Sequence, residues 1–315
     1  FDSSVLRSVD VGANWSPSNN GLTVSSVSSL TISLADPNIL YAGTSTGQIF
    51  KSADNAGIWL DVTRNLSSGG PVAAVVVHPD SSNVIYAGVN ALSSSVQRLK
   101  QVGLGEVSVL TAGVHPEAVA TADLNGDGAI DVIAANSGEN DLSVYLNTSL
   151  GAIFTRADFR VGSGPIATRA GDLDGDGDVD LATANGIKQT LSVLFNDSTG
   201  VFTSPTDLFV GGAPGGLAPA DLDGDGDLDL ATAGGAGGAV LVFLNDGKGS
   251  FEAPRTFTTV SGASDLVAND FSGDGIPDVA LTSASEGVLV VMTSQGNLNF
   301  SIDQGTNIGV RPGHL

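Results

Sequence analysis

Cysteine is absent from the 315 residues, so disulfides are excluded and no redox compartment can be read from thiols. Long apolar runs are missing too, and nothing approaches the roughly 18 residues that a membrane-crossing helix needs. Basic residues are scarce, 12 against 34 acids, for a formal net charge of −22. A surface of that sign repels phosphate backbones and anionic lipid, which excludes nucleic acid as a partner and argues against membrane insertion by this segment. Only two tryptophans and three tyrosines are present, little material for the aromatic platform that a sugar site usually requires. Convincing 3.6-residue apolar periodicity is absent as well, so helices are not expected. The chain opens at Phe1 without a basic or apolar leader, and any secretion signal is expected to lie outside this numbering.

What is present is glycine, 42 residues of it, with 41% apolar content: the composition of many short strands joined by tight turns. The strands come in repeats. Asp123-Leu-Asn-Gly-Asp-Gly-Ala-Ile-Asp131, Asp172-Leu-Asp-Gly-Asp-Gly-Asp-Val-Asp180, Asp221-Leu-Asp-Gly-Asp-Gly-Asp-Leu-Asp229 and Asp270-Phe-Ser-Gly-Asp-Gly-Ile-Pro-Asp278 align without gaps, each 49 residues after the last. Tyr145-Leu-Asn147, Leu194-Phe-Asn196, Phe243-Leu-Asn245 and Val291-Met-Thr293 continue the alignment, as do Phe154, Phe202, Phe251 and Phe300.

Within a unit, a short segment such as Ala118–Ala122 reads as strand one and the Asp-rich loop leads into strand two. An apolar run such as Leu191–Phe195 is strand three, and a turn such as Asn245-Asp-Gly-Lys-Gly leads to a last strand carrying the repeated Phe. Four strands in 49 residues make a propeller blade. Strand-two segments occur at Tyr41, Tyr86, Val132, Leu181, Leu230 and Val279. Val5–Ser8 resembles Ile49–Ser52, and Gly309–Pro312 resembles Gly113–Pro116, so one further blade is expected to be split between the termini. Its strand two has no evident sequence here, as expected of part of a longer protein. The expected fold is therefore all-β, a seven-bladed propeller of four-stranded antiparallel blades over residues 1–315, with diverged blades in 1–110 and Asp-loop blades in 111–315.

The loops carry the chemistry. Asp-x-Asp-x-Asp-Gly-x-x-Asp sets oxygens at positions 1, 3, 5 and 9 and a backbone carbonyl at 7, the start of the oxygen shell that calcium requires. The candidate ligands are Asp123, Asn125, Asp127, Ala129 and Asp131 in the first loop; Asp172, Asp174, Asp176, Asp178 and Asp180 in the second; Asp221, Asp223, Asp225, Asp227 and Asp229 in the third; Asp270, Ser272, Asp274, Ile276 and Asp278 in the fourth. Ala129, Asp178, Asp227 and Ile276 act through their carbonyls. Glycines at positions 4 and 6 permit the turn. Without a cation, the clustered carboxylates repel one another. An EF-hand needs a Glu at position 12, where Ala134, Thr183, Thr232 and Leu281 stand inside strands. Up to four structural calcium ions are expected, with the weakest binding at the fourth loop.

On these residues the chain resembles the FG-GAP/VCBS repeat family, whose calcium loops occur in integrin α-subunit propellers and bacterial surface proteins, over about residues 111–315. The resemblance implies that the matching loop positions are calcium ligands. Ser8-Val-Asp10-Val-Gly12-Ala-Asn-Trp15 and, more weakly, Ser52-Ala-Asp54-Asn-Ala-Gly57-Ile-Trp59 resemble the Asp-box of sialidase-like and BNR-repeat proteins, a hairpin-locking turn.

An enzyme is not expected. The eight arginines (Arg7, Arg64, Arg98, Arg156, Arg160, Arg169, Arg255, Arg311) form no sialidase-like constellation, and His78, His115 and His314 read as ordinary turn or surface residues. No nucleophile elbow, zinc-helix or phosphate-loop motif occurs. The expectation is a non-catalytic extracellular, cell-surface or periplasmic propeller for protein–protein interaction, adhesion or assembly. A lectin propeller, and the propeller of a polysaccharide lyase or hydrolase, stand as alternatives. The sequons at Asn14, Asn65, Asn147 and Asn196 are what chance provides in a chain this rich in Asn, Ser and Thr.

Overall fold

The structure is a computed structural model describing residues 5–9, 15–23, 26–63, 70–90, 95–100, 106–147, 154–234, 238–303 and 305–308. Every element among them is a β-strand. A short ribbon, β1 (Leu6–Arg7) and β2 (Ser16–Pro17), comes first. Successive up-and-down meanders follow. The first holds β3 (Val27–Ile32), β4 (Leu40–Thr44), β5 (Ile49–Ser52) and β6 (Trp59–Asp61); the second holds β7 (Val72–His78), β8 (Ser81–Val89), β9 (Ser95–Lys100) and β10 (Glu106–Thr111). The third comprises β11 (Pro116–Ala122), β12 (Asp131–Asn136), β13 (Asp141–Asn147) and β14 (Phe154–Arg160); the fourth β15 (Pro165–Gly171), β16 (Asp180–Asn185), β17 (Thr190–Leu194) and β18 (Thr206–Phe209). The fifth is β19 (Pro214–Ala220), β20 (Asp229–Gly234), β21 (Ala239–Phe243) and β22 (Arg255–Thr258). The last sheet holds β23 (Ala263–Asn269), β24 (Asp278–Ser283), β25 (Val288–Ser294), β26 (Phe300–Ile302) and β27 (Thr306–Asn307).

All six expected strand-two segments are second strands, β4, β8, β12, β16, β20 and β24. The Ala-, Thr- and Gly-rich composition does what it implies: every residue of β12, β16, β20 and β24 is buried. Small side chains let neighbouring sheets close on both faces at interior packing density.

The seven-bladed expectation is corrected. The propeller arrangement has five four-stranded blades, and the sixth sheet carries five strands. The reason lies in pairing at the two ends. β26 and β27 lie end to end on one edge of β25, with Met292 opposite Ile302 and Leu289 opposite Thr306. The residues after Phe300 thus complete that sheet's outer edge instead of contributing to a split blade. At the other end β1 and β2 pair only with each other among the described residues. Gly309–Pro312, on which the split blade relied, lies outside the described residues, as do Asp10, Gly12, Asn14, Arg64, Asn65, Arg311 and His314.

The chain divides into two compact units, Phe1–Thr121 with Ala129–Asp158, and Ala122–Gly128 with Phe159–Leu315. In the first unit one cluster joins Tyr41 and Ile49 to Val72, Val75 and Ile85, and another sets Trp59 against Phe50 and Ala42. The Ser52–Trp59 hairpin is locked locally. The Asp54 carboxylate accepts from Ile58 N–H and Ser52 Oγ, both at 2.8 Å, which holds it below the usual carboxylate range, while the buried Trp59 indole donates to the Ser18 carbonyl at 2.8 Å. In the second unit the apolar faces of successive sheets interlock, Leu222, Leu244 and Val242 with Leu281, Val290 and Met292. Edge-to-face ring pairs, Phe159–Phe202 at 5.2 Å and Phe257–Phe300 at 5.1 Å, tie consecutive blades together.

Candidate metal centre

Each Asp-rich loop connects strand one to strand two of its blade, and the four are built alike. The glycines at positions 4 and 6 all take positive φ, from 68° at Gly126 to 100° at Gly226. That fold turns the backbone N–H groups inward onto the first aspartate. Asp172 accepts from Gly175 at 2.7 Å and Gly177 at 3.1 Å, and Asp221 from Gly224 and Gly226 at the same distances. In the first loop Asp123 accepts from Gly128 at 2.8 Å.

Carboxylate oxygens of Asp172, Asp174 and Asp176 lie within 4.8 Å of one another, and those of Asp221, Asp223 and Asp225 do the same. Both triplets are spaced to hold a metal ion. Their electrostatics register the crowding: Asp174 and Asp223 are raised, first by desolvation and then by the neighbouring carboxylates Asp176 and Asp225. Asp178 is raised in the same way. In the first loop the Asp123 Oδ1 atom is buried with no hydrogen-bond partner. A buried carboxylate oxygen without a donor is costly unless a cation faces it. The donor set is all oxygen, the chemistry of a hard cation such as calcium. These residues fit the ion.

The fourth loop differs. Asp270, Ser272 and Asp274 are all exposed, and Asp270 already accepts from Gly273, Asp274 and Gly275 at 2.6, 3.1 and 2.8 Å. Those bonds, the Gly275 one foremost, hold its carboxyl below the usual range.

The ninth position has a second role that spacing did not reveal. Asp131, Asp180, Asp229 and Asp278 are fully buried. Asp180 accepts from Leu173 N–H and Asn196 N–H, both at 2.8 Å, latching the loop's second residue to the end of strand three. Asp229 does the same with Leu222 at 3.0 Å and Asn245 at 2.9 Å, and Asp278 with Phe271 at 3.0 Å and Ser294 at 2.7 Å. Asp131 accepts from Asn147 N–H at 2.7 Å. Ser294, not Thr293, therefore occupies the place of Asn147, Asn196 and Asn245, which corrects the alignment by one residue.

Burial pushes Asp180 and Asp229 up to about 6, against the partial relief of their backbone hydrogen bonds. An unfolded aspartate titrates near 3.9, so the metal-free native state binds these protons more tightly and loses stability as pH rises between those values. Metal-stripped protein is expected to melt a few degrees higher at about pH 5.5 than at about pH 7.5. Scanning calorimetry at the two values checks this, and a Tm that rises with pH would contradict it.

Packing also distinguishes the two turn glycines. A methyl group on Gly175 would stand 2.6 Å from the Gly247 carbonyl of the next blade's hairpin, whereas one on Gly177 meets nothing within 4 Å. Both residues hold a left-handed backbone, at φ 76° and 92°. Gly177→Ala is expected to cost about 1 kcal/mol and Gly175→Ala about 2 kcal/mol or more in urea unfolding.

Arg156, Arg169 and His78, considered for catalysis, have structural partners. Arg156 pairs with Asp158 at 2.7 Å, Arg169 donates to the Thr168 carbonyl at 2.9 Å, and His78 Nδ1 accepts from Asp80 N–H at 3.2 Å. His115 sits in the connection before β11 at φ 55°.

Comparison with known proteins agrees with this geometry. No protein of curated function matches the chain in sequence. Among solved structures it is similar to a functionally unknown protein from Desulfotomaculum acetoxidans DSM 771, at 14% identity and a TM-score of 0.69, covering 96% of this chain and 90% of that one. A candidate 6-phosphogluconolactonase from Bacteroides fragilis NCTC 9343 is similar at 14% identity and 0.72, covering 98% and 91%. A catalytically inactive virginiamycin B lyase from Staphylococcus aureus with quinupristin is similar at 14% and 0.64, covering 92% and 87%. Such likeness shows shared fold alone. The FG-GAP-like repeat model matches three times in a row, at residues 123–183, 172–232 and 221–281, each match running from one Asp-rich loop through the next. With half of its length so matched, the chain belongs to the FG-GAP-like repeat family.

Proposed function

We propose that this chain is a non-catalytic, calcium-stabilised extracellular module that mediates protein–protein interaction, adhesion or assembly. The observation that carries the reading is the pair of carboxylate triplets, each with its oxygens within 4.8 Å, set in loops whose family commonly binds calcium. Calcium, when bound, supplies the countercharge that the repelling carboxylates lack. Asp172, Asp174 and Asp176, with the Asp178 carbonyl, would hold one ion; Asp221, Asp223 and Asp225, with the Asp227 carbonyl, another. The first loop offers Asp123, Asn125 and Asp127. The fourth, exposed and already satisfied at Asp270 by three N–H donors, offers the weakest site.

An extracellular, cell-surface or periplasmic setting supplies the ion and accords with the family. The Ser52–Trp59 hairpin supports an Asp-box reading there, a turn lock remote from chemistry. The polar groups around the strands are engaged in holding turns, which favours a scaffold over an active site. The partner is of protein character: Trp59, Tyr41, Tyr86 and Tyr145 are all buried rather than displayed for sugars.

The test is capture with the calcium-loaded chain, a polysaccharide panel being assayed in parallel. Retention of a protein partner that chelator releases supports the reading. Turnover of a polysaccharide, or selective retention of one glycan, would replace it with the enzyme or the lectin.

A further inference from the structure

The first and second loops are not independent of the blades after them, because an asparagine of the following blade holds each. Asn196 stands at the end of strand three in the fourth blade. Its Nδ2 donates to the Leu124 carbonyl, in the preceding blade's loop, at 2.7 Å, and to the Val179 carbonyl of its own blade at 3.0 Å. Its backbone N–H is the one that Asp180 accepts. Asn245 repeats the pattern one blade on: Nδ2 to the Leu173 carbonyl at 2.8 Å and to the Leu228 carbonyl at 3.0 Å, with N–H to Asp229. Both asparagines are buried, at 7% and 6% exposure.

Two further features tighten the Asn245 junction. Leu124, Leu173 and Leu222, second in their loops, are buried, and Leu173 packs in one cluster with Leu241 and Phe243 of the next blade. The Asn245–Ser250 hairpin also seats directly on the second loop, since a methyl on Gly249 would lie 3.2 Å from Asp174 Cβ. A continuous path therefore runs from the backbone of the second loop, through one side chain, to the buried latch of the third. The fourth repeat breaks it. Ser294 keeps the N–H bond to Asp278, but its hydroxyl accepts locally from Gly296 N–H at 3.2 Å, and no bond to the Leu222 carbonyl is found among the described residues.

We infer that Asn196 and Asn245 are positioning residues that couple cation binding in adjacent loops, so that ordering one loop pre-forms its neighbour. This rests on the calcium reading above. The two states are an ordered and a loosened loop. An ordered third loop fixes Asp229, which fixes Asn245, which fixes the Leu173 carbonyl between Asp172 and Asp174. Ordering already achieved need not be achieved again by the second ion, which is the basis of positive cooperativity. The coupling stops at the Ser294 junction.

The experiment is calcium titration of the full chain by calorimetry, with Asp223→Ala used to disable the third loop. Asp223→Ala is expected to weaken binding at the second loop, and through it the first, about fivefold or more in the native chain, to leave the fourth loop unchanged, and to have no such effect in the Asn245→Ala background. Ser294→Asn is expected to gain what the native chain lacks, tightening binding at the third loop. This second variant guards against Asn245→Ala simply unfolding the blade. If the native chain binds no calcium, the calcium reading itself fails. If it binds calcium, but Asp223→Ala removes one site without touching the others and Ser294→Asn changes nothing, only the coupling is overturned.

Discussion

Removal of calcium should lower the melting temperature by about 10–20 °C. Each site held at 100 times its dissociation constant contributes about 2.7 kcal/mol to the native state. Two well-formed triplets therefore contribute about 5 kcal/mol, and in a chain of this size each kcal/mol moves Tm by roughly 2–4 °C. The direction is fixed by charge: Asp172, Asp174 and Asp176 crowd their oxygens within 4.8 Å, and desolvation adds to their mutual repulsion. Scanning calorimetry of calcium-replete and metal-stripped protein measures the shift. Magnesium, which demands tight octahedral geometry, should restore much less of it than calcium. Equal melting temperatures with and without calcium would remove the basis for the proposed function.

The second large effect concerns the buried latch. Asp229→Ala is expected to destabilise the protein by about 2–6 kcal/mol in urea, because two buried backbone donors, Leu222 N–H and Asn245 N–H, lose their acceptor at about 1–3 kcal/mol each. Asp225→Ala is the control. That residue is exposed and belongs to the triplet, so its loss should leave metal-free stability unchanged or slightly raised, through relief of repulsion, while weakening calcium binding. The pair of variants separates the latch from the ligand set. An unchanged urea midpoint for metal-free Asp229→Ala would show that the latch carries no weight.

Much of this was legible because the repeat is nearly exact where chemistry is strictest. Aspartates at alternate positions with glycines between them have few folds open to them, so the loops, their φ > 0 glycines and the flanking strands followed from spacing. The six second strands could be counted because they recur as well, the first two as Tyr-Ala-Gly segments at Tyr41 and Tyr86. The blade count at the ends could not. Whether the residues after Phe300 finish the last sheet or begin another depends on which edge is free to pair, and β25 takes both β26 and β27. Edge pairing is a tertiary decision with weak local signal. The repeated Phe was likewise only half placed: Phe154 and Phe300 lie in strands, while Phe202 and Phe251 form isolated bridges opposite Asn196 and Asn245. The inter-blade asparagines were visible as a 49-residue recurrence, but their partner is a main-chain carbonyl 72 residues earlier, and a carbonyl has no letter in a sequence.

The asparagine bonds also bear on how the repeats yield under load. Asn196 and Asn245 each reach backward along the chain to a loop of the preceding blade. A hydrogen bond belongs equally to both partners, so a blade stripped from either side of such a junction takes one clamp with it and leaves its neighbour without that bond. Extension under load should therefore proceed as successive releases of one 49-residue repeat from either side, each freeing roughly 160–175 Å of chain.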